Sequence, residues 1–283
     1  MNNFQKKYGP WALVTGASSG IGKELAHELA SRNLNLVIVA RRQELLDTLK
    51  EALARKYGVE VRSVAVDLTT PMAFSIIEEA TADIEIGLLV PNAGMAMAGE
   101  FIESDLEDNI AMIQLNVLAP LQLAHEFGRK MALREHGGIL FTSGVLAYQA
   151  IPMMANYAAT KAYVLLLAEA LHNEFKPRGV DVTVLSPGLT ATDMPVHLPI
   201  DFSKLPMWAL SPKRVARTGV NALGQKSTVV AGFISKFYAW QNRLVPRVLP
   251  VMLFGFLMRR ASKGRSLSAT AAEPNKTGTE TAP

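Results

Sequence analysis

Tyr157 and Lys161 stand four residues apart in a stretch, 155–176, whose Ala and Leu content and spacing predict a long helix, so the two side chains share one face. A free phenol, with a pKa near 10, is a poor acid at neutral pH. An ammonium about 4 Å away is worth roughly 4 kcal/mol at an effective dielectric of 20. That corresponds to about three pKa units and would bring the phenol near 7. A tyrosine tuned in this way can protonate a carbonyl oxygen as hydride reaches the carbon. Ser143, at the end of a predicted strand, offers a hydroxyl to hold the same oxygen. Taken alone, the pair also reads as a surface Tyr–Lys contact and Ser143 as a turn serine; the surrounding elements decide.

The second chemical signal is Thr15-Gly16-Ala17-Ser18-Ser19-Gly20-Ile21-Gly22, which follows the apolar run 11–14 and precedes residues with helical spacing. Glycines in a strand-to-helix turn let backbone approach a phosphate with no Cβ in the way. The N–H groups and partial positive charge of the helix N-terminus then face the anion.

These residues need a frame. Apolar runs predict strands over 34–40, 59–66, 84–90, 139–143, 180–186 and 227–231. Between them, helical spacing covers 42–57, 71–82, 104–135 (with a kink at Pro120), 155–176 and 212–225. Strands alternating with helices predict an α/β fold: a single doubly wound, Rossmann-type parallel sheet covered on both faces. The predicted organisation is one domain over 1–232, an apolar-basic helical extension over 233–260, and a disordered tail over 261–283 rich in Ala, Ser, Thr, Gly and Pro.

Composition narrows the classes. The 283 residues are 49% apolar, enough for a sizeable core, and contain no cysteine, which excludes disulfides and thiolate metal sites. His27, His125, His136, His172 and His197 lack metal-ligand spacing, so no metal is expected. Neither a signal peptide nor a spanning helix is evident, and a cytoplasmic location, peripheral at most to a membrane, is expected. The net charge of +4 is segregated. Residues 1–201 hold 16 Lys/Arg and 23 Asp/Glu, whereas 202–272 hold 12 Lys/Arg and no acid. The C-terminal part is therefore expected to face something anionic, or the acidic part of its own fold or of a second subunit.

With the order Thr15-Gly16-x-x-x-Gly20-x-Gly22, Asp67, Asn92-Ala93-Gly94, Asn116, Ser143, Tyr157-x-x-x-Lys161 and Pro187-Gly188-x-x-x-Thr192, the chain resembles the short-chain dehydrogenase/reductase family over about residues 10–232. The resemblance implies catalysis by Asn116, Ser143, Tyr157 and Lys161, with Asn116 supporting a water relay to the lysine. It also implies cofactor binding by Gly16, Ser18, Ser19, Gly20, Ile21, Gly22, Asp67, Asn92, Ala93, Gly94, Tyr157, Lys161, Pro187, Gly188 and Thr192. Two departures stand out: Pro91 replaces the family's first Asn, and the Ser143–Tyr157 separation is 14, one more than is common.

At the end of the second strand, Arg41 and Arg42 stand where an NAD site usually presents an acid. Guanidinium groups suit a 2′-phosphate, so NADP(H) is the expected cofactor. Met95, Met97, Met153, Met154 and the apolar residues of 189–210 (Met194, Val196, Leu198, Pro199, Ile200, Phe202, Leu205, Met207, Trp208) predict a pocket for a bulky apolar ketone or acyl chain. Some of these side chains could equally be core packing. The expected reaction is ketone–secondary alcohol interconversion on a lipid-type small molecule, resembling 3-oxoacyl reductases and hydroxysteroid dehydrogenases. A non-catalytic NADP-binding regulator and a membrane-surface module on the same scaffold are the alternatives. No nucleic-acid partner is expected. Residues 233–260 are expected to meet an anionic membrane surface, a second subunit in a homo-oligomer, a lid position or an anionic substrate carrier.

Overall fold

The computed structural model describes residues 3–241 and 244–262. Seven parallel strands form one sheet in the order β3-β2-β1-β4-β5-β6-β7: β1 (Trp11–Thr15), β2 (Asn35–Ala40), β3 (Val61–Ala65), β4 (Ile86–Val90), β5 (Gly137–Thr142), β6 (Val180–Pro187) and β7 (Thr228–Ala231). Strand order reverses between β1 and β4, and the carboxyl ends of such a switch point leave a crevice for ligand.

Both faces of the sheet are covered, which is why its strands are apolar throughout rather than alternating. Along β1, Ala12 and Val14 face one core while Trp11 and Leu13 face the other. The first core is closed by α2 (Gly20–Ala30), α3 (Gln43–Tyr57) and α9 (Pro212–Ala222), through Leu25, Leu29, Leu46, Leu53 and Val220. The second is closed by α4 (Ala73–Ala80), α6 (Ala119–Leu133) and α7 (Ala155–Phe175), through Ile77, Phe127 and Val164. A short N-terminal helix, α1 (Asn3–Tyr8), sends the Tyr8 hydroxyl to Asp181 at 2.6 Å.

The predicted helix over 104–135 is divided. α5 (Leu106–Ile113), whose N-cap Asp105 accepts from the Glu107 N–H, runs into a π-helical turn at Gln114–Leu118 and then into α6. The irregularity falls at 114–118, with Pro120 in the first turn of α6 rather than at a kink of its own. Pro120 has no N–H to give the carbonyl of Asn116, four residues earlier, so the α-helical ladder cannot close there.

After a short helix, α8 (Asp193–Val196), and the sheet's last strand come α10 (Phe233–Gln241) and α11 (Val248–Ala261). They lie back on the body. Phe254, Met258 and Ala261 of α11 are buried with Ile151, Met154, Leu198 and Ile200 in a third core. The Asp201 N–H also donates to the Ala261 carbonyl at 2.8 Å. Of the tail expected over 261–283, Ala261 instead ends α11 and Ser262 bridges to Ile200, while residues 263–283 lie outside the described residues, as does Arg243. No helix among the described residues is long and apolar enough to cross a membrane.

Candidate active site

At the carboxyl end of β1 the chain turns through Gly16 (φ 68°) and Gly20 (φ 55°) into α2. Positive φ favours glycine, and space forbids a side chain as well. A Cβ on Gly22 would stand 2.1 Å from the Gly16 carbonyl oxygen, and one on Gly16 would stand 2.8 Å from Ala93 Cα. The end of β4 is fastened to this turn. Thr15 Oγ1 accepts from the N–H groups of Asn92 and Ala93, both at 3.0 Å, and Asn92 Nδ2 donates to the Thr15 carbonyl at 3.1 Å. At this junction the Pro91 carbonyl accepts the Thr142 N–H from β5. From the far side, Thr192 lays its methyl group over Gly20, and Thr190 Oγ1 donates to the Gly188 carbonyl, which follows Pro187 at the end of β6. Ile21 packs into the core below.

Beside the turn, Arg42 Nη2 donates to Ser18 Oγ at 3.2 Å and Ser19 Oγ at 3.4 Å. Arg41 pairs with Asp67 at 3.8 Å, and Asp67 Oδ1 also accepts from the Thr69 N–H and hydroxyl. Two guanidinium groups and two hydroxyls thus border an N-terminus, that of α2, whose cap Ser19 makes no side-chain hydrogen bond to it. A nicotinamide dinucleotide fits this lining. The glycine cradle admits a pyrophosphate, α2 faces it with free N–H groups, and the Arg–Ser cluster offers donors to a further phosphate.

Tyr157 and Lys161 occupy the first turns of α7, facing the end of β5. Lys161 is 4% exposed; its Nζ lies over the Tyr157 ring, 5.8 Å from the centroid, and donates to the Thr142 carbonyl at 3.4 Å. Desolvation rules both groups. Burial lowers the Lys161 pKa to about 8 and raises that of Tyr157 to about 12. The sequence-based expectation of a phenol near 7 is corrected: the ammonium does not offset the phenol's loss of water.

Asn116 is buried, and its amide is taken up by the chain. It receives the Met95 N–H and donates to the Met95 carbonyl, both at 2.9 Å, and to Thr160 Oγ1 at 3.0 Å. It therefore clamps the segment after β4 that carries Gly94, where a Cβ would stand 3.1 Å from Asn116 Oδ1 and 3.2 Å from Lys161 Nζ. Both amide N–H groups are thus spent on the chain, which leaves none to donate to a relay water.

Ser143 was expected to hold the substrate oxygen. It is 3% exposed, and its hydroxyl donates to the Lys161 carbonyl at 2.7 Å. It ties β5 to α7.

Residues 10–200 match the family model described as short chain dehydrogenase. The chain belongs to the short-chain dehydrogenase family. It is thus an oxidoreductase of CH–OH and C=O groups using a nicotinamide cofactor. It is 31% identical over 245 residues to a 7beta-hydroxysteroid dehydrogenase of Clostridium sardiniense, covering 87% of this chain and 94% of the relative. It is also 31% identical over 262 residues to a very-long-chain 3-oxoacyl-CoA reductase of Danio rerio, covering 91% and 81%. Among solved structures, a short-chain dehydrogenase of Sphingobium yanoikuyae in complex with NADPH superposes with a TM-score of 0.74 at 31% identity, covering 83% of this chain and 93% of that one.

In this short-chain dehydrogenase, Tyr157 lines a cavity of about 200 Å³ with Met97, Met112, Met153, Met154 and Pro199. Other residues expected there lie elsewhere: Leu198, Ile200 and Leu205 are core, while Val196 and Trp208 are 74% and 78% exposed. The polar part of the wall escaped sequence reading. Glu100 and Glu103 sit on it, with Asn109 and Asn156, joined by an Nδ2–Oδ1 hydrogen bond of 2.8 Å. No local signal links asparagines from α5 and α7, which only the tertiary fold brings together.

Proposed function

We propose that this dehydrogenase interconverts a bulky, apolar, uncharged ketone and its secondary alcohol with NADP(H). The observation that carries the reading is the place of Tyr157 in the wall of a methionine-rich cavity. Methionines adapt to irregular apolar shapes. Glu100 and Glu103 on the same wall oppose an anionic carrier, favouring a ring ketone over an acyl thioester of coenzyme A. The relative from Clostridium sardiniense, a hydroxysteroid dehydrogenase by name, supports the same class.

For the cofactor, Gly16, Gly20, Ile21, Gly22 and Ser19 are assigned to the pyrophosphate, with Thr192 closing from above. Arg42, with Ser18 and backed by Arg41, holds the 2′-phosphate; Asp67 takes the adenine. Asn92, Ala93, Gly94, Pro187 and Gly188 line the way to the nicotinamide. When bound, the cofactor supplies hydride to the carbonyl carbon. Tyr157 Oη gives its proton to the carbonyl oxygen in reduction and takes it back in oxidation. Lys161, largely protonated at neutral pH, stabilises the charge left on the phenol. Asn116 positions the Gly94 backbone against Lys161.

The test is NADPH oxidation over ketones graded by ring number and chain length. Bicyclic and larger ring ketones turn over faster than short linear or sugar ketones. A protein that binds NADPH and reduces no apolar ketone overturns the reading.

We further propose that α10 and α11 rest on an anionic membrane surface. On α11, Leu249, Met252, Leu253 and Phe256 form an exposed stripe opposite the buried Phe254 and Met258. Phe237 and Trp240 of α10 are exposed, and Lys236, Arg247, Arg259 and Arg260 are the charges of these helices and their link among the described residues. Apolar bulk with basic charge and no acid suits a lipid interface.

A further inference from the structure

The turn between β5 and α7 gives two adjacent residues different neighbours. Gly144 is extended, with φ 179° and ψ 160°, a conformation open to any residue. In extended chain, successive side chains point to opposite faces. Ser143 points toward α7, into its 2.7 Å hydrogen bond with the Lys161 carbonyl. Gly144 faces a different part of the site, the side chains of α7 and the end of β6: a Cβ there would stand 3.9 Å from the Tyr157 hydroxyl and 4.0 Å from both Lys161 Cγ and the Pro187 carbonyl oxygen. These are ordinary van der Waals separations, so a small side chain fits without displacing anything. A hydroxyl on that Cβ would come within hydrogen-bonding reach of the phenol oxygen.

We propose that position 144, not Ser143, faces the reacting oxygen, and that this chain, with glycine there, runs its proton transfer from Tyr157 without help from Ser143. This rests on the reading of Tyr157 as proton donor. The extra residue between Ser143 and Tyr157, relative to the usual family spacing, fits the assignment, because the residue thirteen before Tyr157 is Gly144. Ser143 then serves as a fastening between strand and helix, and position 144 sets how many side-chain hydroxyls meet the substrate oxygen.

Three variants test this with NADPH and trans-1-decalone, an apolar bicyclic ketone, as the probe: Ser143→Ala, Gly144→Ala and Gly144→Ser. The Ala and Ser variants at 144 share a Cβ, so their ratio isolates the hydroxyl from crowding. Loss of a single preorganised donor to a developing oxyanion typically changes kcat by about 10²–10³. The expected result is a kcat for Gly144→Ser at least about tenfold above Gly144→Ala, and a kcat for Ser143→Ala within about threefold of the parent. Equal rates for the two 144 variants, or a hundredfold fall for Ser143→Ala with fold and NADPH binding intact, overturn the proposal.

A second readout needs no ketone. With 3-fluorotyrosine incorporated and the Tyr157 signal assigned from Tyr157→Phe, ¹⁹F NMR follows the phenol's titration. Gly144→Ser lowers the midpoint relative to Gly144→Ala, while Ser143→Ala leaves it at the parent value. The reverse pattern sinks the assignment. If the parent reduces no ketone, the substrate proposal fails while the titration still decides position 144.

Discussion

Lys161 Nζ lies over the Tyr157 ring at 5.8 Å from its centroid, one helical turn further along α7. The contact places a cation on the negative face of the ring, a favourable arrangement. Burial nevertheless raises the phenol's pKa and lowers the ammonium's. Tyr157 therefore keeps its proton until it is transferred, and Lys161 sits close to losing its own.

Tyr157→Phe removes the transferable proton and nothing else. Turnover falls on the order of 10²–10⁴-fold, the usual contribution of a positioned general acid. NADPH affinity, measured by fluorescence titration, stays within about threefold of the parent, since the phenol makes no contact that shapes the glycine turn. A phenylalanine variant with parent-like kcat would mean that another group delivers the proton.

The pH dependence follows from Lys161. With its pKa lowered to about 8, the ammonium is lost as pH rises through that value, and ketone reduction declines above about pH 8. A kcat/KM profile flat to pH 10 contradicts this. For stability the sign is opposite. The unfolded lysine titrates near 10.5, so between about 8 and 10.5 the unfolded chain binds more protons and stability rises with pH. Below about 8 the burial penalty is felt in full. Lys161→Met abolishes turnover yet raises stability at pH 7 by about 1–3 kcal/mol, and the rise between pH 8 and 10.5 disappears from its denaturation curves.

Arg42 contacts both serines of the glycine turn, and Arg41 faces Asp67. Arg42→Ala weakens NADPH binding roughly 10–100-fold, in the range of about 1.5–3 kcal/mol for a lost charge-assisted contact. NADH binding shifts by less than about threefold. Equal losses for the two cofactors in calorimetric titration would remove Arg42 from the 2′-phosphate.

Leu253→Glu with Phe256→Glu places two acids on the exposed stripe of α11 and spares the buried Phe254 and Met258. Flotation of the parent with liposomes containing phosphatidylserine at low salt is expected, and its loss in the double variant with ketone reduction intact. A parent that stays unbound refutes membrane contact. A parent that dimerises through this stripe, with the variant monomeric, gives the surface to a second copy instead.

Much of this protein was written locally. The apolar runs that became β1, β2 and β6, the helical spacing of α3 and α7, and the glycine turn all rest on interactions within a few residues or on burial on both faces of a sheet, which composition reveals. Tyr157 and Lys161 share a face because a helix dictates it, and Arg41 and Arg42 fall at a strand end for the same kind of reason. What lay beyond the sequence depended on contacts between distant segments. The phenol's pKa turned on how much water the packed site excludes, which the four-residue spacing cannot state. The direction of the Asn116 amide, in the π-turn ahead of Pro120, was set by Met95, 21 residues earlier, and by Thr160, 44 residues later. The direction of the Ser143 hydroxyl was settled by a carbonyl on α7, 18 residues away. Local chemistry chose the elements and their residues; the packing of β5 against α7, and of α11 over Leu198, Ile200 and Leu205, decided which atoms face one another.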